Sequence, residues 1–169
     1  MAHGDPAGTP SGASWPTLAP GAGDIADRPP ADVVALRELV SRYGDVLDAR
    51  AWEELSTIFT ADVVFDVTDI GLPTVRGLDA LIEYWDGPRA FHPAAHLITN
   101  VYVEALDVDA GVVRSRLLAV QGDGKVATGC YRDEVVRTPA GWRIARRTFR
   151  YTRRERPGAG GATSDHGHR

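Results

Sequence analysis

Four consecutive strand-like runs decide the fold of this chain: HLITNVYVEAL (96–106), VVRSRLLAVQ (112–121), VATGCYRDEVVR (126–137) and WRIARRTFRY (142–151). The short segments between them, DVDAG, GDGK and TPAG, have the composition of turns. Long runs joined by short turns predict an antiparallel meander. The helical segments that precede them must then pack on one face of this sheet, which makes the fold class α+β.

Helical periodicity comes before the strands. One apolar stripe recurs at spacings of 4, 3 and 4 residues and consists of Leu36, Val40, Tyr43 and Leu47. This spacing predicts a helix of about four turns, with Asp32 as its N-cap. A second short helix is predicted from Ala51 to about residues 60–62, then a strand over 63–67 and a third helix over 78–85. A curved meander closed on one side by these helices predicts a cone with a ligand pocket inside.

The two ends of the chain differ in composition from its middle. Residues 1–30 and 157–169 are rich in glycine and proline and show no apolar periodicity. We therefore expect two disordered tails. Residues 31–156 remain as one domain, long enough to bury a sizeable core.

Composition excludes several function classes. The single cysteine, Cys130, cannot form an intrachain disulfide, and no apolar run approaches the roughly 18 residues of a membrane span, so we expect a cytoplasmic protein without membrane contact. A net charge of -4 argues against a nucleic-acid partner. Neither a metal-ligand spacing nor a nucleotide-binding glycine motif occurs, so we expect no metal and no cofactor. Acid/base chemistry or binding remains.

Asp48 and His96 are the main candidates for acid/base chemistry. Strand alternation places His96 and Asn100 on one face, and Asp48 lies at the edge of the helical stripe. A carboxylate beside an imidazole fixes its tautomer and raises its basicity, as a general base requires. The alternative is that Asp48 caps the helical hairpin and His96 is a core residue bonded to a backbone carbonyl.

Four further polar side chains each have a structural alternative. Tyr43 belongs to the apolar stripe, and Tyr131 suits cross-strand packing as well as proton donation. Arg146 and Arg147 point to opposite faces of the last strand, so one of them could hold a substrate oxygen inside. The alternative for that arginine is a salt bridge with Asp66, Asp133 or Glu134.

Seven short motifs follow one another in order: RY (42–43), DARAWEEL (48–55), IFTAD (58–62), VRG (75–77), HLITN (96–100), GCYRD (129–133) and GWRI (141–144). Together they resemble SnoaL-like proteins of the nuclear transport factor 2-like superfamily. The resemblance covers about residues 31–153. No single motif is specific, but their order and spacing are.

The resemblance implies a cone of three helices on a curved, mixed, mostly antiparallel sheet around a pocket. Scytalone dehydratase, bile-acid dehydratase, polyketide cyclases and steroid isomerases use this fold. In the dehydratase branch an aspartate at the end of the first helix pairs with a histidine at the start of a strand, and Asp48 and His96 match these places. Tyr43 matches a tyrosine earlier on that helix. Arg147 matches an arginine late on the last strand better than Arg146 does.

One departure from the family pattern concerns the strand after His96. The dehydratases carry a second histidine or an aspartate there, whereas RSRLLAVQ (114–121) has neither. Tyr43, Tyr131 and Arg116 are the candidates to replace it. The expected lining of the substrate pocket consists of Asn100, Tyr131, Trp85, Arg116 and Leu118.

These observations predict a cofactor-independent dehydratase, isomerase or cyclase. Its substrate is expected to be a hydrophobic, oxygenated small molecule such as a polyketide, steroid or terpenoid, and the protein to be a homo-oligomer, either dimer or trimer. The alternative is a non-catalytic binding or assembly subunit, like the small subunit of ring-hydroxylating dioxygenases. Epoxide hydrolysis is a third interpretation, but the second acid that it needs is missing.

Overall fold

The computed structural model describes residues 27–87 and 92–152. The predicted tails, 1–30 and 157–169, therefore lie outside the described residues except for 27–30. All described residues belong to one compact unit. No helix among them has an apolar run of membrane-spanning length.

The first helix, α1, spans Pro30–Asp48. Its predicted stripe is confirmed, because the side chains that form it are almost fully buried: Leu36, Val40, Tyr43 and Leu47. Pro30 occupies the start of the helix, where its fixed φ suits helical geometry and its missing N–H is not needed. The stripe faces the sheet, so α1 contributes one wall of the core.

Asp32 is not the N-cap that the sequence predicts. It lies in the first turn of α1, and no side chain caps the helix. Its carboxylate instead accepts hydrogen bonds from the indole N–H of Trp142 at 3.0 Å and from the guanidinium of Arg137 at 2.7 Å. The bond from Arg137, followed by the bond from Trp142, lowers the pKa of Asp32, and both bonds tie the start of the helix to the last two strands.

The second predicted helix is shorter than expected. It is a 3-10 helix, Trp52–Thr57, and Phe59 already begins the first strand, β1, which spans Phe59–Asp66. The reason is tertiary: Phe59 pairs in parallel register with Ile144, far along the chain. Backbone pairing with a distant strand overrides the local helical pattern at this point.

The remaining elements follow in chain order: a 3-10 turn (Thr68–Ile70), β2 (Val75–Arg76), α2 (Leu78–Asp86), β3 (Ala95–Leu106), β4 (Ala110–Val120), β5 (Val126–Thr138) and β6 (Gly141–Tyr151). The predicted meander is confirmed, since β3, β4, β5 and β6 pair antiparallel in succession. The sheet order is β2-β1-β6-β5-β4-β3, and β1 runs parallel to β6. The result is the predicted α+β arrangement with a curved, mixed sheet, which stays unclosed between its edge strands β2 and β3.

A β-bulge in β6 determines which side chains enter the core. Ile144 pairs with Val135 and Arg146 pairs with Glu134, so Ala145 is an extra residue on this strand. Alternation starting from the buried Trp142 and Ile144 would otherwise bring Arg146 inward. After the bulge, the buried side chains are Arg147 and Phe149.

Candidate active site

Asp48 and His96 meet at the junction between α1 and β3. Asp48 is the last residue of α1, and His96 is the second residue of β3. The Nδ1 atom of His96 lies 2.7 Å from a carboxylate oxygen of Asp48, and the backbone N–H of His96 donates to the same carboxylate at 2.9 Å. The imidazole is 5% exposed and the carboxylate 28%. The carboxylate therefore fixes both the backbone and the ring of His96.

This contact also determines the state of the imidazole. A carboxylate can only accept, so Nδ1 carries the proton and Nε2 keeps its lone pair in the neutral ring. Within the described residues, Nε2 has no hydrogen-bond partner. Asp48 is also at the unfavourable end of a helix, because a carboxylate there faces the negative pole of the helix dipole. An oriented imidazole with a free Nε2 is the arrangement of a general base.

Arg147 is held by a buried ion pair. Its Nε and one Nη donate to the two carboxylate oxygens of Asp133 at 2.7 and 2.8 Å, and both side chains are fully buried. Burial alone would lower the pKa of Arg147, but the Asp133 carboxylate outweighs burial, so this pKa lies above its usual value. The guanidinium thus stays charged, while its Nη1 has no partner within the described chain.

Two tyrosines enclose this guanidinium. The Cζ atom of Arg147 lies 4.0 Å from the ring centroid of Tyr43 and 4.3 Å from that of Tyr131, which are cation–π distances. The two rings also contact each other edge to face. Burial raises the pKa of Tyr43 to about 12, so its hydroxyl is a proton donor at neutral pH. That hydroxyl has no hydrogen-bond partner of normal geometry among the described residues.

The structure places the predicted pocket residues in different environments. Tyr131 joins Tyr43 and Arg147, whereas Trp85 is buried in α2 against Phe65, with ring centroids 5.9 Å apart. Asn100 does not share the face of His96. It is exposed and adopts a left-handed φ of 50° at a bulge in β3, which interrupts the alternation that places it beside His96.

Arg116 and Leu118 also lie away from the interior. The buried side chains of β4 are those of Val113, Ser115, Leu117 and Ala119, so the alternate positions face the other side of the sheet. Leu118 is 37% exposed. The expectation that Arg116 and Leu118 line the pocket fails because the helices cover the opposite face of β4.

Two polar residues of the interior were not singled out by the sequence. For Asp133 the sequence indicated only one of three possible salt bridges to an arginine, and for Ser115, which lies outside any catalytic serine motif, it indicated no role. A sequence signal for Ser115 does exist, since it is the one polar residue at alternate positions of an otherwise apolar strand face. Within the described residues, no group of three or more histidine, cysteine, aspartate or glutamate side chains is arranged to hold a metal ion.

Comparison with known proteins agrees with this architecture. Residues 30–148 match the model of the SnoaL-like domain. An uncharacterized protein of Mycobacterium tuberculosis strain H37Rv is 30% identical over 126 residues, which are 69% of this chain and 82% of that protein.

Two crystal structures from Novosphingobium aromaticivorans are similar in fold and in sequence. A candidate aromatic ring hydroxylase has 29% identity and a TM-score of 0.66, over 76% of this chain and 94% of that chain. A candidate scytalone dehydratase has 25% identity and a TM-score of 0.60, over 71% of this chain and 83% of that chain. The family predicted from the sequence is thereby confirmed: the chain belongs to the SnoaL-like domain family and has the nuclear transport factor 2-like fold.

Proposed function

We propose that this protein is a cofactor-independent acid/base enzyme, a dehydratase, isomerase or cyclase. Its substrate is a hydrophobic, oxygenated small molecule of the polyketide, steroid or terpenoid kind. The observation that carries this proposal is the 2.7 Å contact between Asp48 and His96, which leaves Nε2 of His96 unpaired. The similarity to a candidate scytalone dehydratase is consistent with it.

The proposed chemistry starts with a proton beside a carbonyl group. Nε2 of His96 removes this proton and becomes an imidazolium, which Asp48 stabilises, while the substrate becomes an enolate. The enolate oxygen requires hydrogen-bond donors. Tyr43 and Arg147 are the candidates, because the Tyr43 hydroxyl and Nη1 of Arg147 are buried donors that make no hydrogen bond of normal geometry in the described chain. The imidazolium then returns its proton to the product or to a leaving hydroxyl.

A second candidate function is that of a non-catalytic binding or assembly subunit. It is favoured by the full burial of Tyr43, Arg147 and Asp133, because side chains then fill the space beneath α1. In that case, the contact between Asp48 and His96 fastens α1 to β3 and has no chemical role.

Hydrogen–deuterium exchange can separate the two functions before a substrate is known. The protein is incubated in D₂O with a panel of cyclic ketones, and deuterium incorporation at the carbon next to the carbonyl is followed by NMR. A general base accelerates this exchange, and His96→Ala should reduce the enzymatic rate about 10²- to 10⁴-fold. Asp45→Asn is the control, because Asp45 is an exposed acid of α1. With this variant the ketone should exchange at the wild-type rate. Equal rates in the wild type and in His96→Ala contradict the proposal and favour the second function.

Two further expectations belong to this proposal. We propose a homo-oligomer, supported by exposed apolar side chains on the outer face of the sheet at Leu97, Tyr102 and Leu118. A monomeric mass at micromolar concentration in sedimentation would contradict it.

We also propose a cytoplasmic location, which rests on the single cysteine of the chain.

A further inference from the structure

Ser115 is a buried hydroxyl that the proposed reaction does not use. It lies on the helix-covered face of β4 between Val113 and Leu117, and its residue is 2% exposed. Its Oγ has no hydrogen-bond partner in the part of the chain that the structure describes. An unpaired buried hydroxyl is unfavourable, so this position suits a partner that is not part of the described protein.

The ring of Tyr131 brings two other polar side chains, Tyr43 and Arg147, close to Ser115. Tyr131 lies directly opposite Ser115 in the register of β4 and β5. Its ring contacts that of Tyr43 at 5.9 Å between centroids and the Cζ of Arg147 at 4.3 Å. We call Ser115, Tyr43 and Arg147 the polar layer, since each has a buried polar atom that makes no hydrogen bond of normal geometry among the described residues, and all three adjoin Tyr131.

The charge of the polar layer indicates what it can bind. Asp133 neutralises Arg147 through two hydrogen bonds, so the polar layer and Asp133 together carry no net charge. A buried carboxylate or ammonium group would find no free countercharge there, whereas a neutral oxygen would find unpaired N–H and O–H donors. The layer therefore fits carbonyl and hydroxyl oxygens of an uncharged ligand.

The position of Ser115 along β4 separates it from the proposed base. His96 pairs with Ala119, four residues further along the same face, which corresponds to about 13 Å of strand. Tyr43 and Arg147 are the donors proposed for the oxygen next to the proton that His96 removes, which leaves the Ser115 hydroxyl for a different oxygen of the substrate. Ser115 instead suits a second oxygen, at a distance from the reacting carbon.

We propose that Ser115 is a specificity-determining residue whose hydroxyl binds a second, remote oxygen of an uncharged ketone substrate. This inference rests on the proposed function for the reacting carbonyl and adds that the substrate is oxygenated at two separate places. The polyketide class meets this requirement more fully than a hydrocarbon-rich ligand with a single carbonyl.

The experiment measures affinities by calorimetry for 1-tetralone and for 5-, 6- and 7-hydroxy-1-tetralone. The wild type should bind one hydroxylated ketone about 3- to 10-fold more tightly than 1-tetralone, the usual contribution of one hydrogen bond. Ser115→Ala should abolish this preference without changing the affinity for 1-tetralone. Ser115→Thr keeps the hydroxyl and should restore the preference, and the exposed Ser56→Ala should have no effect.

Thermal unfolding of the same variants tests a merely structural role. Ser115→Ala removes an unpaired buried hydroxyl, so its Tm should equal or exceed that of the wild type. A lower Tm, a similar loss of affinity for all four ketones, or no preference in the wild type would overturn the inference. Deuterium exchange with His96→Ala is independent of these affinities, so failure of the proposed base and failure of Ser115 are distinguishable.

Discussion

Gly44 of α1 lies directly against the backbone of His96. A Cβ atom at Gly44 would stand 2.4 Å from the carbonyl oxygen of His96, far inside contact distance. Gly44 is about one helical turn before Asp48, on the same side of the helix. The missing side chain thus allows α1 to approach β3 closely enough for Asp48 to reach the imidazole.

Gly44→Ala should separate α1 from β3. The added methyl group meets backbone atoms that cannot turn away, so we expect a loss of about 1–3 kcal/mol in the free energy of unfolding, although alanine favours the helix. Chemical denaturation measures this loss, and deuterium exchange should fall with it. Gly122→Ala is the matched control, because nothing lies within 4 Å of that position. Wild-type stability and exchange in Gly44→Ala would contradict the close approach.

Asp48→Asn should impair exchange while preserving the fold. An amide can donate as well as accept, so it no longer enforces a proton on Nδ1 or stabilises the imidazolium. If His96 is the base, the rate should drop toward the 10²- to 10⁴-fold loss of a missing general base, about the effect of His96→Ala. The double variant should then be no slower than either single one. Additive losses would show that the two residues act independently.

Asp133→Ala should be strongly destabilising. It leaves the fully buried Arg147 without its carboxylate, and breaking a buried pair in this way costs about 3–5 kcal/mol. Urea unfolding provides the measurement. Glu134→Gln is the control, since this neighbouring acid is half exposed and pairs with Arg132.

A double replacement separates the effect of charge from that of packing at the Asp133–Arg147 pair. Asp133→Leu combined with Arg147→Met removes both charges, so most of the stability lost in Asp133→Ala should return. If the double variant is as unstable as the single one, the hydrogen bonds of the pair matter more than its uncompensated charge.

The stability of the protein should fall between about pH 10 and pH 12. Burial raises the pKa of Tyr43 from 10.0 to about 12 in the folded chain. The folded state therefore holds the phenolic proton more tightly than the unfolded state, so this contribution is intact below pH 10 and is lost as the pH rises toward 12. Tyr131 acts in the same direction, because burial also raises its pKa.

Tyr43→Phe should reduce the loss of stability at alkaline pH. Urea midpoints at pH 8 and pH 11 give the comparison, and Tyr102→Phe, at an exposed tyrosine, is the control. An identical decline in Tyr43→Phe and in the wild type would mean that Tyr43 does not titrate inside the folded protein.

Local patterns were sufficient for much of the fold. The stripe of α1 follows from helical periodicity within about a dozen residues, and the meander follows from strand-like runs separated by turns. The 3-10 helix was the exception, because pairing of Phe59 with Ile144 depends on residues far apart in the sequence. Local sequence also does not choose the partner of Arg147 among the three candidate acids, because that choice depends on how the strands pair.

The sequence by itself determined the elements, their order, the family and the short inventory of reactive side chains, of which Asp48 and His96 were the leading pair. Only the tertiary structure decided which side chains share the interior. The bulge at Ala145 turns Arg147 inward, the bulge at Asn100 turns that residue out, and the side on which α1 packs leaves Leu118 on the outer face and Ser115 inside. The physical reason is that strand alternation has a period of two. One extra residue therefore reverses the direction of every later side chain, and the face on which the helices pack decides which of the two sets is buried.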